Sequence, residues 1–548
     1  MRSSSGPGNE QGRDLVLTPQ DTRSESERRG EDRRPRRRGW FSRFLTRYLI
    51  LVGVLAHVAA AAGAVAVYRQ VGYLGGALDK GIAAAERAVP PVGRVLRQVA
   101  NESGIVYRHP DAFPPIALKD VEGLVAGARA DGRPSHLATP AVSRPAALRV
   151  VRVSNGKELV AAVKDARAGD DIVLAPGTYG IKARYVDVAR PGESNFPITL
   201  RAEKLGTAEI RFDALEGFLV RAPHWTFENL VIRGVCKDHS ACEHGFHVVG
   251  QAHHTTIRNN RVIDFNAHFK INGGTVGKTR HFPDDGVLEG NSIFNTSVRR
   301  TNKPVTPIDL VAASNWQIRD NLIADFEKGG GDRISYAAFV KGAGEDSVME
   351  GNLVICRMSL RGGGGIQLGL SLGGGGTNRG SCRDGKCGFE YKGGVIRNNV
   401  IMRCPKDVGI YLNKAADSVI ANNALLGTMG IDVRFQASSA TVVNNVLDSH
   451  IRERNGGKVK AVNNLVLTHG WWPSLMGEKT MDDVFEDGFD GRLRLRDIDP
   501  IVGRGSKVPG LERDLCGNGR AADPDLGPIE YKGKKTCLLR ADDGAGGG

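Results

Sequence analysis

Among the eight cysteines no two are separated by only two residues, and none clusters with histidine at zinc-finger intervals, so a structural zinc module is not encoded. The glycine-rich runs lack the Gly-Lys-Ser/Thr ending of a phosphate loop, which removes the usual sequence sign of nucleotide binding. No repeating glycine and aspartate calcium motif occurs. The 3.6-residue apolar period of a helical repeat is missing from the long central part of the chain. There, apolar residues alternate over short stretches that end in Gly, Asn or Asp, which is strand and turn chemistry.

What is present instead is one recurring signature: an aliphatic run, one or two asparagines, and another aliphatic run. It surrounds Asn229, Asn260, Asn291, Asn321, Asn352, Asn399, Asn423, Asn445 and Asn464. The steps are 31, 31, 30, 31, 47, 24, 22 and 19 residues, a drifting solenoid period. Units of this length with two or three short strands describe coils of a parallel β-helix, an all-β fold. At one corner of successive coils each asparagine is expected to bond the amide above and below, and to tolerate the left-handed backbone of a sharp corner.

With these features the chain resembles the right-handed parallel β-helix proteins of the pectate lyase superfamily, over residues 148–531. The segment LRVVRVSNGKELVAAVKDARAGDDIVLAPGTYGI is similar to the family's entry, where an amphipathic helix, here 156–168, caps the core before a first strand at 171–174. DLCGNGRAADPDLGPIEY is similar to its closing segment.

Upstream, residues 1–38 are polar and nearly free of aliphatics, so the arm 1–47 is expected to be disordered. Residues 48–68, YLILVGVLAHVAAAAGAVAVY, carry no formal charge and at about 1.5 Å per residue just span a hydrocarbon core of about 30 Å. The arginine cluster directly before them predicts a cytoplasmic N-terminus and a β-helix outside, periplasmic in a Gram-negative cell. A cleaved secretory signal is the rival reading, because Ala64 and Ala66 form an A-x-A pattern. Residues 69–147 read as a helical and linker stalk, and 532–548 as a flexible tail. Export suits disulfides, and spacing pairs Cys236 with Cys242, Cys382 with Cys387 and Cys516 with Cys537. Cys356 and Cys404 both follow asparagine corners of consecutive coils and are expected to stack and bridge. The formal charge of +14 suits an acidic polysaccharide or lipid headgroups; nucleic acid is not the expected partner outside a membrane. Oligomeric state is not legible.

Aligning coils on their corners brings one strand into register. Phe246, Phe269, Ile308, Phe339, Ile366, Ile410 and Ile431 are expected to point inward, and the alternate residues outward. The outward column is then His247, Lys270, Asp309, Val340, Gln367, Tyr411 and Asp432, with Asn272, Asn413 and Arg434 two residues farther along. With rungs about 4.8 Å apart, Lys270, His247 and Asp309 fall within reach of one sugar ring, joined by His281 of the KTRHFPDD loop and by Lys341 as catalytic candidates. Asn272, Gln367, Tyr411, Asn413, Asp432 and Arg434 are the substrate-binding candidates. The competing reading is an exposed ion-pair ladder worth about 0–1 kcal/mol. The stretch 371–390 is expected to project as a loop, pinned by its cysteines.

Within the superfamily the chain looks most like the chondroitinase B and alginate lyases, a resemblance that implies a lysine and an arginine on neighbouring coils, often with calcium beside the uronate. Lys341, in AAFVKGAGEDSVMEGN, matches the lysine strand. The next coil, GGIQLGLSLGG, departs from the pattern by offering no arginine. No cofactor is expected from a motif; calcium at the adjacent Asp284 and Asp285 stays open, although two carboxylates supply fewer oxygens than calcium gathers. The expected function is lyase-type β-elimination on an acidic polysaccharide. Glycoside hydrolysis or uronate epimerisation in the same groove, and non-catalytic glycan binding, stay open.

Overall fold

The computed structural model describes residues 147–360, 364–404, 406–467, 479–487 and 492–531, together with a few upstream positions. The expected arm, membrane span and tail lie outside them, and among the described residues no helix is long and apolar enough to cross a membrane.

Three parallel sheets of twelve, ten and eleven strands run side by side, each strand pairing with its counterpart one coil away. This is a parallel β-helix. The chain enters through the strand Arg149–Val153 and the helix Gly156–Lys164. Asn155 caps that helix by accepting the Glu158 amide at 3.0 Å, while Glu158 accepts the Ser154 amide at 2.8 Å. Leu159 and Val163 are buried in the central core, and the helix ends at Lys164, earlier than the sequence suggested.

Side-chain patterns differ among the sheets for a physical reason. The twelve-stranded sheet alternates, as in Ile198–Ala202, because one face is wet. The later strands of the eleven-stranded sheet, from Leu322–Ala324 onward, are apolar throughout, as in Leu353–Ile355 and Val400–Met402. Their outer residues, Leu353, Ile355, Val400 and Met402, pack in a second core with Met481, Val484, Phe485, Ile501 and Leu526 of the C-terminal segment. Val121, within the expected stalk, joins this core.

The asparagine corner divides its work between two adjacent positions, which corrects the single-residue expectation. The left-handed conformation is taken by the first, Asn229, Asn259, Asp320, Asn398, Asn422, Asn444 and Asn463, with φ between 49° and 60°, and by Gly290 and Gly351. The second position builds the amide ladder: Asn260 Nδ2 donates to Asn291 Oδ1 at 3.1 Å, and the chain continues through Asn321, Asn352, Asn399, Asn423, Asn445 and Asn464. Asn229 is therefore not a ladder member. Leu230 stands at that level and donates its amide to Asn260.

Cys236–Cys242, Cys356–Cys404 and Cys382–Cys387 are disulfides. Cys516 is also disulfide-bonded, and Cys537, its expected partner, lies outside the described residues.

Candidate functional site

The outward face of the ten-stranded sheet carries the candidate column. Register pairs His247 with Lys270, Lys270 with Asp309, Tyr411 with Asp432, and Asn413 with Arg434, as the alignment anticipated. Phe246, Phe269, Ile308, Ile410 and Ile431 are fully buried inward.

Between Asp309 and Tyr411 the register differs. Asp309 faces Phe339, and Phe339 faces Ser371, which in turn faces Tyr411. Val340 points into the core and is fully buried, so the expected Val340 column position is held by Phe339. In Ala-Phe-Val three consecutive apolar residues leave the inward frame undetermined, and the small Ala338 and Val340 fill the core while the ring goes out. Gln367 pairs with Ser335, four residues from Ser371, and Ile366 is only partly buried. Gln367 donates to the Cys356 carbonyl at 2.6 Å and accepts from Arg357 at 3.0 Å, which turns its amide to the Cys356 corner. The alternating run Ile-Gln-Leu-Gly-Leu-Ser-Leu fits either of two frames.

His247 is fixed on both sides. Its Nδ1 lies 3.2 Å from Glu216 Oε1 and its Nε2 lies 2.8 Å from Asn272 Oδ1. Glu216 also faces His244 Nδ1 at 3.6 Å. Burial alone would raise the Glu216 pKa, but the hydrogen bonds and charges of His244 and His247 outweigh it and hold the group at about 2. Because this folded value lies below the ordinary 4.5, the stabilisation is complete above about pH 4.5 and is lost as pH falls toward 2. Melting curves between those limits should accordingly show a shallower acid limb for Glu216→Gln than for the wild type; parallel limbs would mean that the trio adds nothing to stability.

Lys270 Nζ donates to Asp309 Oδ2 at 2.7 Å. Asp309 Oδ1 is buried and has no partner among the described residues. Lys341 lies one rung beyond Val311 with its ammonium 4.1 Å from the centre of the Phe339 ring. Burial lowers its pKa from the ordinary 10.5, Asp309 opposes that, and Lys270 adds to it. No carboxylate forms an ion pair with Lys341 among the described residues. Gly374 lies beside it: a Cβ there would come 2.9 Å from Lys341 Cδ.

Farther along, Tyr411 Oη lies 3.2 Å from Asn413 Nδ2 and 3.4 Å from Arg434 Nη1. Asp432 is nearly fully buried beneath Arg452 and Arg454, at 2.7 and 2.6 Å, which leaves it a structural counter-ion.

Two loops form a wall beside Lys270 and Lys341. The hairpin Gly274–Val276 and Thr279–His281 places His281 opposite Gly274. Arg383 of the disulfide-pinned loop holds Asp284 with two bonds of 2.7 and 2.8 Å and lies 4.5 Å from the Phe282 ring centre, while Arg280 donates to the Cys382 carbonyl. Asp284 is thereby neutralised, and calcium does not fit there. The Glu216, His244 and His247 atoms gather within 4.8 Å of one another, yet one carboxylate and two imidazoles are likewise a poor donor set for calcium. Sequence reasoning missed Glu216 and His244, although Glu216-Gly-Phe and His244-Gly-Phe repeat on adjacent coils.

Residues 153–281 match the family model of chondroitinase B, a span that contains His247, Lys270, Asn272 and His281 and stops before Asp309 and Lys341. The chain is a parallel β-helix that over this span is similar to the chondroitinase B family. Among solved structures, pectate lyase Pel9A aligns at 16% identity over 70% of this chain and 96% of its own, with a TM-score of 0.49. An alginate lyase from Paenibacillus sp. str. FPU-7 aligns at 17% identity over 59% and 98%, with a TM-score of 0.36. A rhamnogalacturonan lyase aligns at 14% over 70% and 97%, with a TM-score of 0.37. A search of curated proteins returns no match.

Proposed function

We propose that this protein cleaves a uronate-containing polysaccharide by β-elimination along the outer face of the ten-stranded sheet, with Lys341 as the base. The observation that carries this reading is the contrast between two lysines two rungs apart. Lys270 is engaged by Asp309 and supplies positive charge, whereas Lys341 is half-buried against an aromatic ring without an ion-pair partner among the described residues. Desolvation of that kind favours the neutral amine that proton abstraction needs. The amine would take the proton at C5, the C4–O bond would break with its electron pair leaving on the glycosidic oxygen, and a C4=C5 double bond would remain. Lys270 would neutralise the uronate carboxylate as its α-carbon becomes anionic, with the His247 ring beside it as a hydrogen-bonding group. Asn413 and Arg434, two and three rungs beyond Lys341, would hold sugars on the order of 10–14 Å away.

Hydrolysis is less well supported by the same column. Asp309 and Asp432 stand four rungs apart, on the order of 19 Å, while paired glycosidase carboxylates need about 5–9.5 Å. Incubation with a panel of acidic polysaccharides, read by the ultraviolet absorbance of unsaturated uronates, tests the proposal; cleavage that yields only saturated reducing ends would replace elimination with hydrolysis.

We also propose, from the uncharged run 48–68 behind its arginine cluster, that the chain is anchored in a membrane with the β-helix outside. Protease added to intact spheroplasts should then remove the β-helix and spare the N-terminal arm. A protected β-helix, or its release as a cleaved soluble form, would overturn that topology.

A further inference from the structure

A second histidine group lies away from the column, at the corner that leads from the ten-stranded sheet into the twelve-stranded one. His224 precedes the strand Trp225–Glu228, and His253 and His254 precede Thr256–Arg258 on the next coil. Their ring nitrogens all lie within 4.8 Å of one another. The His224 and His254 rings stack at 4.9 Å and 13°, and the His253 ring stands edge-on to both, at 5.4 and 5.0 Å. On the coil after that, Asp285 brings Oδ2 to 4.0 Å from His254 Nε2.

Corner geometry accounts for part of this. His224, His254, Asp285, Asn315 and Asp346 occupy equivalent left-handed positions, with φ of 59°, 55°, 61°, 60° and 58°, where Asn, Asp and His are the tolerated side chains. It does not account for His253, which has no such backbone, nor for three imidazoles and a carboxylate meeting at one point of the surface.

We propose that His224, His253 and His254, with Asp285 as fourth donor, bind a borderline divalent cation of the zinc type and so clamp three successive coils. Imidazole nitrogens and one carboxylate are the donors such ions take, at about 2.0–2.2 Å and in a tetrahedron. That geometry sets nitrogens about 3.4 Å apart, so the rings need close by only about 1.4 Å, within the rotamer freedom of half-exposed side chains. Calcium, which gathers six to eight oxygens, should not compete. The site also adjoins Asp284, which holds Arg383, so the clamp would stiffen the base of the loop wall.

The test uses the full-length chain, stripped with a chelator and titrated with Zn2+ against a chromogenic competitor. His224→Asn and His254→Asn preserve the left-handed corner while removing the imidazole, and His253→Ala removes the third ring; His247→Ala serves as control for the Glu216, His244 and His247 cluster. Each of the first three should weaken Zn2+ binding at least about tenfold and abolish the zinc-dependent rise in Tm, while His247→Ala keeps both. Wild-type protein that takes up no Zn2+, or His253→Ala and His254→Asn variants that bind it as tightly as wild type, would overturn the proposal.

Discussion

Lys341→Met is expected to lower turnover of a uronate polysaccharide by about 10²–10⁴-fold, the usual contribution of a positioned base, while the melting temperature stays close to that of the wild type. Methionine keeps the apolar stem beside Phe339 and Gly374 and removes only the nitrogen. The pH dependence supplies a second check. Burial lowers the Lys341 pKa, so kcat/KM should rise with pH and level off below the ordinary lysine value of 10.5. Lys270→Met should behave differently, because it leaves Asp309 buried without its cation: both Tm and activity should fall. If Lys341→Met turns over substrate as the wild type does, the base is elsewhere and the lysine contrast has no catalytic meaning.

How much of this was legible depended on whether a residue's job repeats. The asparagine period exposed the coils because the amide ladder recurs at every turn, and the cysteines beside consecutive corners followed from it. The site residues do not repeat. His247, Lys270 and Asp309 align because their strands have one apolar frame, but Ala-Phe-Val and the Ile-Gln-Leu-Gly-Leu-Ser-Leu run have two, and the fold places Phe339 and Ser371 in the column instead of Val340 and Gln367. Only the packing of Ala338, Val340 and Leu370 in the core decides between them. The doubled asparagines carried a further message that spacing alone does not give. In the last four coils the first asparagine of each pair reaches outward to the C-terminal segment: Asn398 donates to Arg513, Asn422 to Asp525 and Gly527, and Asn444 and Asn463 to Ser506. In an earlier coil such as Gly290-Asn291 the first position has no side chain to make such a bond. A long-range partner of this kind leaves no local trace, since Asn259 of an early coil has the same residue type and donates to Asn229 instead.

The ladder is also where a single substitution should cost most stability. Asn352 is fully buried, and its Oδ1 accepts both the backbone amide and the side-chain Nδ2 of Asn321, at 3.1 and 3.0 Å. Its Nδ2 donates to the Ile318 carbonyl at 2.9 Å and to Asn399 Oδ1 at 3.0 Å. Asn352→Ala removes all four bonds at once and leaves two donors and one carbonyl without a partner in a dry interior. At about 1–3 kcal/mol for each stranded group, the loss is expected to be about 5 kcal/mol. Asn464, at the last rung, accepts from Asn445 and donates to the Val442 carbonyl at 2.7 Å but has no ladder neighbour beyond it and is half-exposed, so water can replace what Asn464→Ala removes, and its cost should stay near 1 kcal/mol. Urea unfolding of the two variants separates the cases. Comparable losses at both positions would mean that the ladder is held by strand pairing and that its amides add little of their own.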